Sequence, residues 1–263
     1  MITDYDHAIV RAVPRSYAPA YAAKGIRVDE TVADAQHSGY AGALERAGVT
    51  VTVIGADEAF YDCVFVEDTA VVWRDRALIT RMTEHREGEQ RGVAAALGRS
   101  HKVSGLSTGS RLEGGDVLHT EHVTYVGITG RTNECGAGEL TDFLRAFGRS
   151  VVPVPVSDAL HLKSVATYLG DGTLLAAPEK VDLRRFEVDE VIETAREEGR
   201  SANAVRVRDT LLVSSCYPAT LERLRAFAAA RSIAVVPLNL SEFAKGGGSS
   251  TCLSLLWQGP VLA

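Results

Sequence analysis

A chain of 263 residues with net charge −6, 46% hydrophobic and 24% charged, has the make-up of a globular protein with one large core or two smaller ones. It holds no Lys/Arg-rich run and no apolar stretch near the ~18 residues a membrane span needs, so neither nucleic acid nor a bilayer is an expected partner. Cys63, Cys135, Cys216 and Cys252 are widely spaced with no C-x-x-C pair, which excludes a zinc knuckle and a disulfide scaffold. Free thiols, and an N-terminal segment without the basic and apolar regions of a signal peptide, lead to the expectation of a cytoplasmic protein.

His7 to Val13 alternates like a short strand and ends at Pro14. Arg15 to Gly25 has no clear period and reads as a loop with two exposed aromatics, Tyr17 and Tyr21. Apolar and small residues recur at helical spacing from Asp29 to Ala47, with Gly48 closing the helix, and Val49 to Ile54 reads as a buried strand. A pattern then recurs. Cys63 to Trp73 is a strand, Arg74-Asp-Arg a turn and Ala77 to Arg81 a second strand, followed by a polar helix from about Glu84 to Leu97.

Further copies follow. The second is Gly115 to His119, a turn at Thr120, Val123 to Ile128, and a helix from near Asn133 to Gly148. The third is Ser164 to Leu169, Gly170-Asp-Gly172 and Leu174 to Ala177. The fourth is Ala202 to Val207, Arg208-Asp, Leu211 to Ser215 and a helix capped at Thr220. The fifth begins at Cys252, behind the glycine- and serine-rich turn Gly246-Gly-Gly-Ser-Ser-Thr251, and lacks a second strand. The unpartnered His7–Val13 strand supplies it by ring closure. Repeat starts some 40 to 50 residues apart fall in the range of propeller-like arrays. The expectation is a mixed α/β (α+β) protein, a five-bladed α/β propeller of ββαβ-type repeats forming one domain over 1–263. Val181 to Gly199 fits helix and strand equally badly.

The first strand of each blade would line a central channel, and each copy carries polar residues at or just before it: Asp62, Glu67 and Asp68; Glu113 and Asp116; His161; Asn203; and Cys252. Carboxylates buried there need positive partners. Several converging with a His and a Cys look like a cation site. Arg81 and Arg131 end the second strands of the first two blades, and their planar forks suit a substrate carboxylate. Such a set fits a zwitterion with an extra cationic head, as in arginine and its derivatives. A metal is the rival for Cys/His/Asp, but no two candidates have the close spacing of zinc ligands.

The strings Cys63-Val-Phe-Val-Glu-Asp-Thr-Ala-Val-Val, Leu112-Glu-Gly-Gly-Asp-Val-Leu, Gly130-Arg-Thr-Asn133, Leu160-His-Leu-Lys-Ser164, Ala202-Asn-Ala-Val and Gly247-Gly-Ser-Ser-Thr-Cys252 resemble the dimethylarginine dimethylaminohydrolase family. That family belongs to the guanidine-modifying (pentein) superfamily of five-bladed α/β propellers, and the resemblance keeps the motif order over nearly the whole chain. It implies a hydrolase that converts asymmetric dimethylarginine to citrulline and dimethylamine, and monomethylarginine to citrulline and methylamine. Cys252 would be the nucleophile, His161 the general acid and base, and Glu113 the group orienting His161. Asp68 would hold the guanidinium, Asp62 the α-amino group, and Arg81 and Arg131 the carboxylate, with Glu67 a supporting neighbour. Gly246, six before the nucleophile, would present its backbone to substrate. The lid segment Tyr17 to Ala22 departs from the family in having no leucine.

The resemblance implies no cofactor and no metal, a small-molecule substrate, and leaves room for a homodimer. The covalent route would pass through a thiouronium on Cys252, and acidic neighbours would keep the resting group a thiol. Two other classes stay open: an arginine deiminase or another guanidine or amidine hydrolase, and an arginine-binding or ribosome-factor-like propeller without turnover.

Overall fold

The computed structural model describes residues 1–259; the last four residues of the expected single domain lie outside the described part. Among the described residues, fifteen strands form five three-stranded sheets. The middle strand of each sheet pairs antiparallel with an inner strand and parallel with an outer one. In chain order the first sheet is β3 (Ala70–Trp73), β4 (Arg76–Ile79) and β5 (Lys102–Gly105), and the second is β6 (Val117–His119), β7 (Val123–Ile128) and β8 (Ser150–Pro155). The third is β9 (Ala166–Gly170), β10 (Thr173–Ala176) and β11 (Glu190–Glu193), and the fourth β12 (Ala204–Val207), β13 (Thr210–Ser214) and β14 (Ala234–Leu238). The fifth is β15 (Leu255–Trp257), β1 (His7–Arg11) and β2 (Thr50–Ile54), so the first strand of the chain is the middle strand of the last blade.

A helix fills the crossover from middle to outer strand, as a parallel connection requires. α2 (Glu30–Arg46), α3 (Arg91–Leu97), α4 (Glu134–Arg145) and α5 (Pro218–Ala229) do this in four blades. The third crossover contains only a 3₁₀ turn at Leu183–Arg185, which is why Val181 to Gly199 had no period to read. Asp29 caps α2 by accepting from Val32 N at 3.0 Å, and Asn133 caps α4 by accepting from Gly136 N at 2.9 Å. α5 begins at Pro218 and not at a Thr220 cap; the Thr220 hydroxyl instead accepts from Ala195 N at 3.0 Å and bonds Ser201.

Inner and middle strands are largely buried, while outer strands such as β2 are half-buried to exposed; Val53 is 62% exposed. The expectation of a buried strand at 49–54 therefore fails, because an apolar β2 covers only one face of an edge. Side chains from all five inner strands, Val72, Leu118, Thr167, Val205 and Leu255 among them, line one chamber of about 440 Å³, which marks the axis of the ring. Trp257 is buried between the fifth and first blades with Ile9, Val72 and Leu97. Burying one such side chain is worth about 1.5–3 kcal/mol.

Two segments differ from the expected helix and strand. The polar stretch 84–97 is split: a 3₁₀ turn at Glu84–Arg86 is separated from α3 by Gly88, whose φ of +107° no continuous helix allows. Val66 to Thr69 is a 3₁₀ turn preceding β3, not part of the strand. Similar turns, Gly114–Asp116, Leu162–Ser164 and Thr251–Leu253, precede or lead into β6, β9 and β15.

Candidate active site

Those 3₁₀ turns collect the polar residues. On the first, Glu67 and Asp68 are neighbours in sequence but serve different partners. Asp68 Oδ1 accepts from Gly115 N at 3.0 Å, and Oδ2 accepts from Arg86 Nη1 at 2.7 Å. Glu67 accepts from Lys163 Nζ at 2.5 Å and from the Thr251 hydroxyl at 2.8 Å. Both oxygens of Glu67 are thus occupied by protein.

His161 Nε2 lies 2.7 Å from Glu113 Oε2 and 3.7 Å from Asp68 Oδ1. Glu113 and His161 are both buried, at 0% and 4% exposure. The other oxygen of Glu113 accepts from Thr83 N at 3.2 Å and from Arg131 Nη1 at 3.4 Å. Gly115 packs flat against the imidazole: a Cβ there would sit 2.8 Å from His161 Cγ and from Asp68 Oδ1, so this position has room only for glycine. Asp116 accepts from Leu162 N at 2.8 Å and from the hydroxyls of Thr129 and Thr132 at 2.8 and 2.6 Å, which fixes the turn carrying His161.

The charges bias the protonation states. Burial opposes a charged His161, but Asp68, Glu113 and Asp116 outweigh it and push its pKa up to about 9. Asp68 and Glu113 are held below the usual carboxylate range: burial works against this, and the positive charges of His161 and Arg86 prevail. Cys252 keeps partial exposure, yet the protein crowded around its thiol, with Glu67 and Asp68, pushes its pKa up to about 12. Near neutral pH these shifts favour a thiol at Cys252, as the acidic surroundings led one to expect, and an imidazolium at His161.

Asp68, Glu113 and His161 offer ligand atoms within 4.8 Å of one another, close enough to hold a cation. The cluster already contains two positive groups, Arg86 and the imidazolium, so its charge is balanced by protein.

Arg81 does not join this cluster. Its guanidinium pairs with Glu87 at 3.2 Å, its side chain 36% exposed, while its backbone bridges to Leu112. The arginine that reaches Asp68 is Arg86, 5% exposed and bonded through Nε and Nη2 to Glu89 at 2.9 and 2.6 Å. Sequence reading missed it because it fell inside a run taken for a polar helix. Arg131 does lie at the site, donating to Thr83 Oγ1 at 2.6 Å as well as to Glu113.

Asp62 accepts from the Tyr21 hydroxyl at 2.8 Å, and Gly246 O lies 3.4 Å from the same hydroxyl. Tyr17 and Tyr21 are not exposed loop aromatics. They are 0% and 5% exposed on α1 (Tyr17–Ala22), packed against Phe65, Phe243 and Tyr61. Of the remaining cysteines, Cys63 is buried, but Cys135 and Cys216 are exposed and do no packing; all four are free.

The architecture and the turns have close relatives. A family model described as N,N dimethylarginine dimethylhydrolase, eukaryotic, matches residues 20–255. The N(G),N(G)-dimethylarginine dimethylaminohydrolase of Pseudomonas aeruginosa is 32% identical over 255 residues, 95% of this chain and 99% of that protein. The enzyme of the same name from Streptomyces coelicolor is 37% identical over 233 residues, 87% of each. A solved structure of the Pseudomonas aeruginosa protein, a cysteine-to-serine mutant complexed with citrulline, superposes with a TM-score of 0.86 at 30% identity, covering 96% of this chain and 99% of that one. The product-bound N-terminal domain of ArgZ, a cyanobacterial arginine dihydrolase, shares the fold at a TM-score of 0.86 with 20% identity. With five three-stranded blades, four of them ββαβ, a ring closed by the first strand, and identity carried over nearly its full length, the chain belongs to the dimethylarginine dimethylaminohydrolase family and has its propeller fold.

Proposed function

We propose that the chain hydrolyses Nω-methylated arginine, giving citrulline and dimethylamine from asymmetric dimethylarginine, with Cys252 as nucleophile. The observation that carries this reading is the His161–Glu113 pair at 2.7 Å beside Asp68, in a ring that also holds Cys252, a thiol kept protonated by burial and by Glu67 and Asp68. Asp68 presents lone pairs to a guanidinium, since each of its oxygens uses only one in protein contacts. The cation, once bound, supplies the positive charge that favours the thiolate.

The thiol proton leaves to solvent water, since His161 is already protonated, and the thiolate attacks the guanidinium carbon. The tetrahedral adduct expels dimethylamine as His161 gives it a proton, leaving a thiouronium on sulfur. His161, now neutral, takes a proton from water as the oxygen attacks the same carbon. Collapse breaks the C–S bond as the adduct's hydroxyl proton passes to the departing sulfur and restores the thiol, and the released group is a ureido product. Glu113 holds Nε2 of the imidazole throughout. Asp62 serves the substrate α-amino group and Arg131 its carboxylate, the role first given also to Arg81, whose guanidinium turns to Glu87; Arg86, committed to Asp68 and Glu89, belongs to the buried charge balance. Gly246 lines the same end through its backbone.

The reading treats residues 1–263 as one catalytic domain acting in the cytoplasm, where four free thiols would remain reduced. No helix among the described residues is long and apolar enough to cross a membrane. The test is incubation with asymmetric dimethylarginine and, separately, with arginine, scoring ureido product and released amine. Dimethylamine is the expected product. Ammonia from arginine at the higher rate would make the chain a deiminase, and a Cys252→Ser variant with wild-type turnover would remove the nucleophile assignment.

A further inference from the structure

A buried polar network that includes the turn carrying Cys252 joins four blades. Asn203, 5% exposed, precedes the inner strand of the fourth blade and makes three bonds. Its Oδ1 accepts from Thr251 N at 2.9 Å, and its Nδ2 donates to Thr251 Oγ1 at 2.9 Å and to Lys163 O at 3.0 Å. Thr251 adjoins Cys252 on one turn, and Lys163 is two residues past His161 on another. A single side chain therefore ties the turn of the thiol to the turn of the imidazole. The Thr251 hydroxyl donates to Glu67, 2.8 Å away, and Glu67 closes the ring by accepting from Lys163 Nζ at 2.5 Å. Both amide protons of Asn203 are used, so the residue cannot rotate without leaving a buried donor unpaired.

We propose that Asn203 is a positioning residue that sets the separation of Cys252 from His161 by clamping Thr251 to the Lys163 backbone. Its hydrogen bonds go to Thr251 and Lys163 and to neither Cys252 nor His161. Its amide is needed at both ends: Oδ1 holds the backbone just before the nucleophile, and Nδ2 spans to the neighbouring blade. A carboxylate of the same shape would keep the first contact, lose both donated bonds, and add a negative charge beside Glu67. This inference rests on the assignment of Cys252 and His161 as the reacting pair.

The test compares Asn203→Ala, Asn203→Asp, Thr251→Val, Thr251→Ser and the double variant Asn203→Ala/Thr251→Val with the wild type, each checked for cooperative unfolding. Misplacing a reacting group by about 1 Å costs up to about 100-fold, so kcat should fall about tenfold or more in Asn203→Ala, Asn203→Asp and Thr251→Val, with KM changed by less than about twofold. Thr251→Ser, which keeps the hydroxyl, should retain most of the rate. Because both residues act through one clamp, the double variant should lose about as much as the worse single one. Alkylation of Cys252 by iodoacetamide, followed by mass, should quicken about threefold or more in the loosened variants as the crowded thiol is freed.

A folded Asn203→Ala with wild-type kcat, a loss confined to KM, multiplicative losses in the double variant, or unchanged alkylation would each overturn the proposal. If Asn203→Ala does not fold, Thr251→Val against Thr251→Ser decides it. Should the wild type release no amine from either guanidine, the substrate reading fails, and the alkylation series still decides the role of Asn203.

Discussion

Arg86 sits at the boundary between holding the fold together and building the site. Its guanidinium makes a bidentate pair with Glu89 and a third bond to Asp68, all at 5% exposure or less. Removing one partner of such a set leaves carboxylates buried without a counter-charge, which costs about 3–5 kcal/mol. Arg81, a few residues upstream, holds only a half-exposed pair with Glu87, of a kind worth at most about 1 kcal/mol. In urea unfolding at neutral pH, Arg86→Ala should lose about 3 kcal/mol or more, and Arg81→Ala less than about 1 kcal/mol. The reverse ranking would mean that Arg81, not Arg86, carries the buried charge balance. Sequence reading singled out Asp68, Glu113, His161 and Cys252 because each stands at or just before the first strand of a repeat, where it contrasts with the apolar run that follows, and in a string that resembles the family's. Arg86 had no such contrast, since its neighbours Glu84, His85, Glu87 and Glu89 are polar too. Whether a polar residue in a polar run turns inward is decided by the chain's path around Gly88, which no periodicity records.

At the scale of elements, the same limit explains α1. A helix of six residues cannot stand alone in water, where about 12 or more are needed for marginal stability, and Pro19 lies within it. Tertiary packing forms it: Tyr17 meets Phe65 and Phe243 edge-on or tilted, and Tyr21 meets Tyr17 and Tyr61. Helices and hairpins with local signals were legible, including the capped α2 and α4 and the tight turns at Arg74, Asp171 and Arg208, whose φ values lie between +51° and +55°. α1 was not, because its cause lies elsewhere in the chain. Its placement matters for the site, since the Tyr21 hydroxyl donates to Asp62. Burial raises the pKa of Asp62, and this hydrogen bond draws it back toward the charged form. Tyr21→Phe removes the donor with little loss of packing. If Asp62 receives the substrate amine, KM should rise about fivefold, equivalent to about 1 kcal/mol, with kcat nearly unchanged. Steady-state kinetics on the variant measure the split, and a fall in kcat with constant KM would detach Asp62 from binding.

At the scale of the whole molecule, the ring concentrates ionisable groups that no single blade could hold. Asp68 comes from the first blade, Glu113 from the second and His161 from the third, and their mutual attraction is lost when the ring opens. This makes stability depend on pH in a direction that can be worked out. His161 binds its proton more tightly folded than unfolded, with a pKa near 9 against 6.5. Its contribution is therefore complete below about pH 6.5 and disappears as pH rises through about 9. Asp68 and Glu113 shift the other way, so theirs is present above their unfolded values of 3.8 and 4.5 and is lost as pH falls. His161→Gln deletes the first contribution and leaves the blades intact. The wild type should exceed the variant in unfolding free energy by the largest margin near pH 6, with the margin shrinking steadily toward about pH 10. Parallel denaturant titrations across that range measure it. A margin that stays constant, or widens with pH, would mean that the imidazole enters the folded ring uncharged, and the thiol–imidazolium resting pair would have to be abandoned.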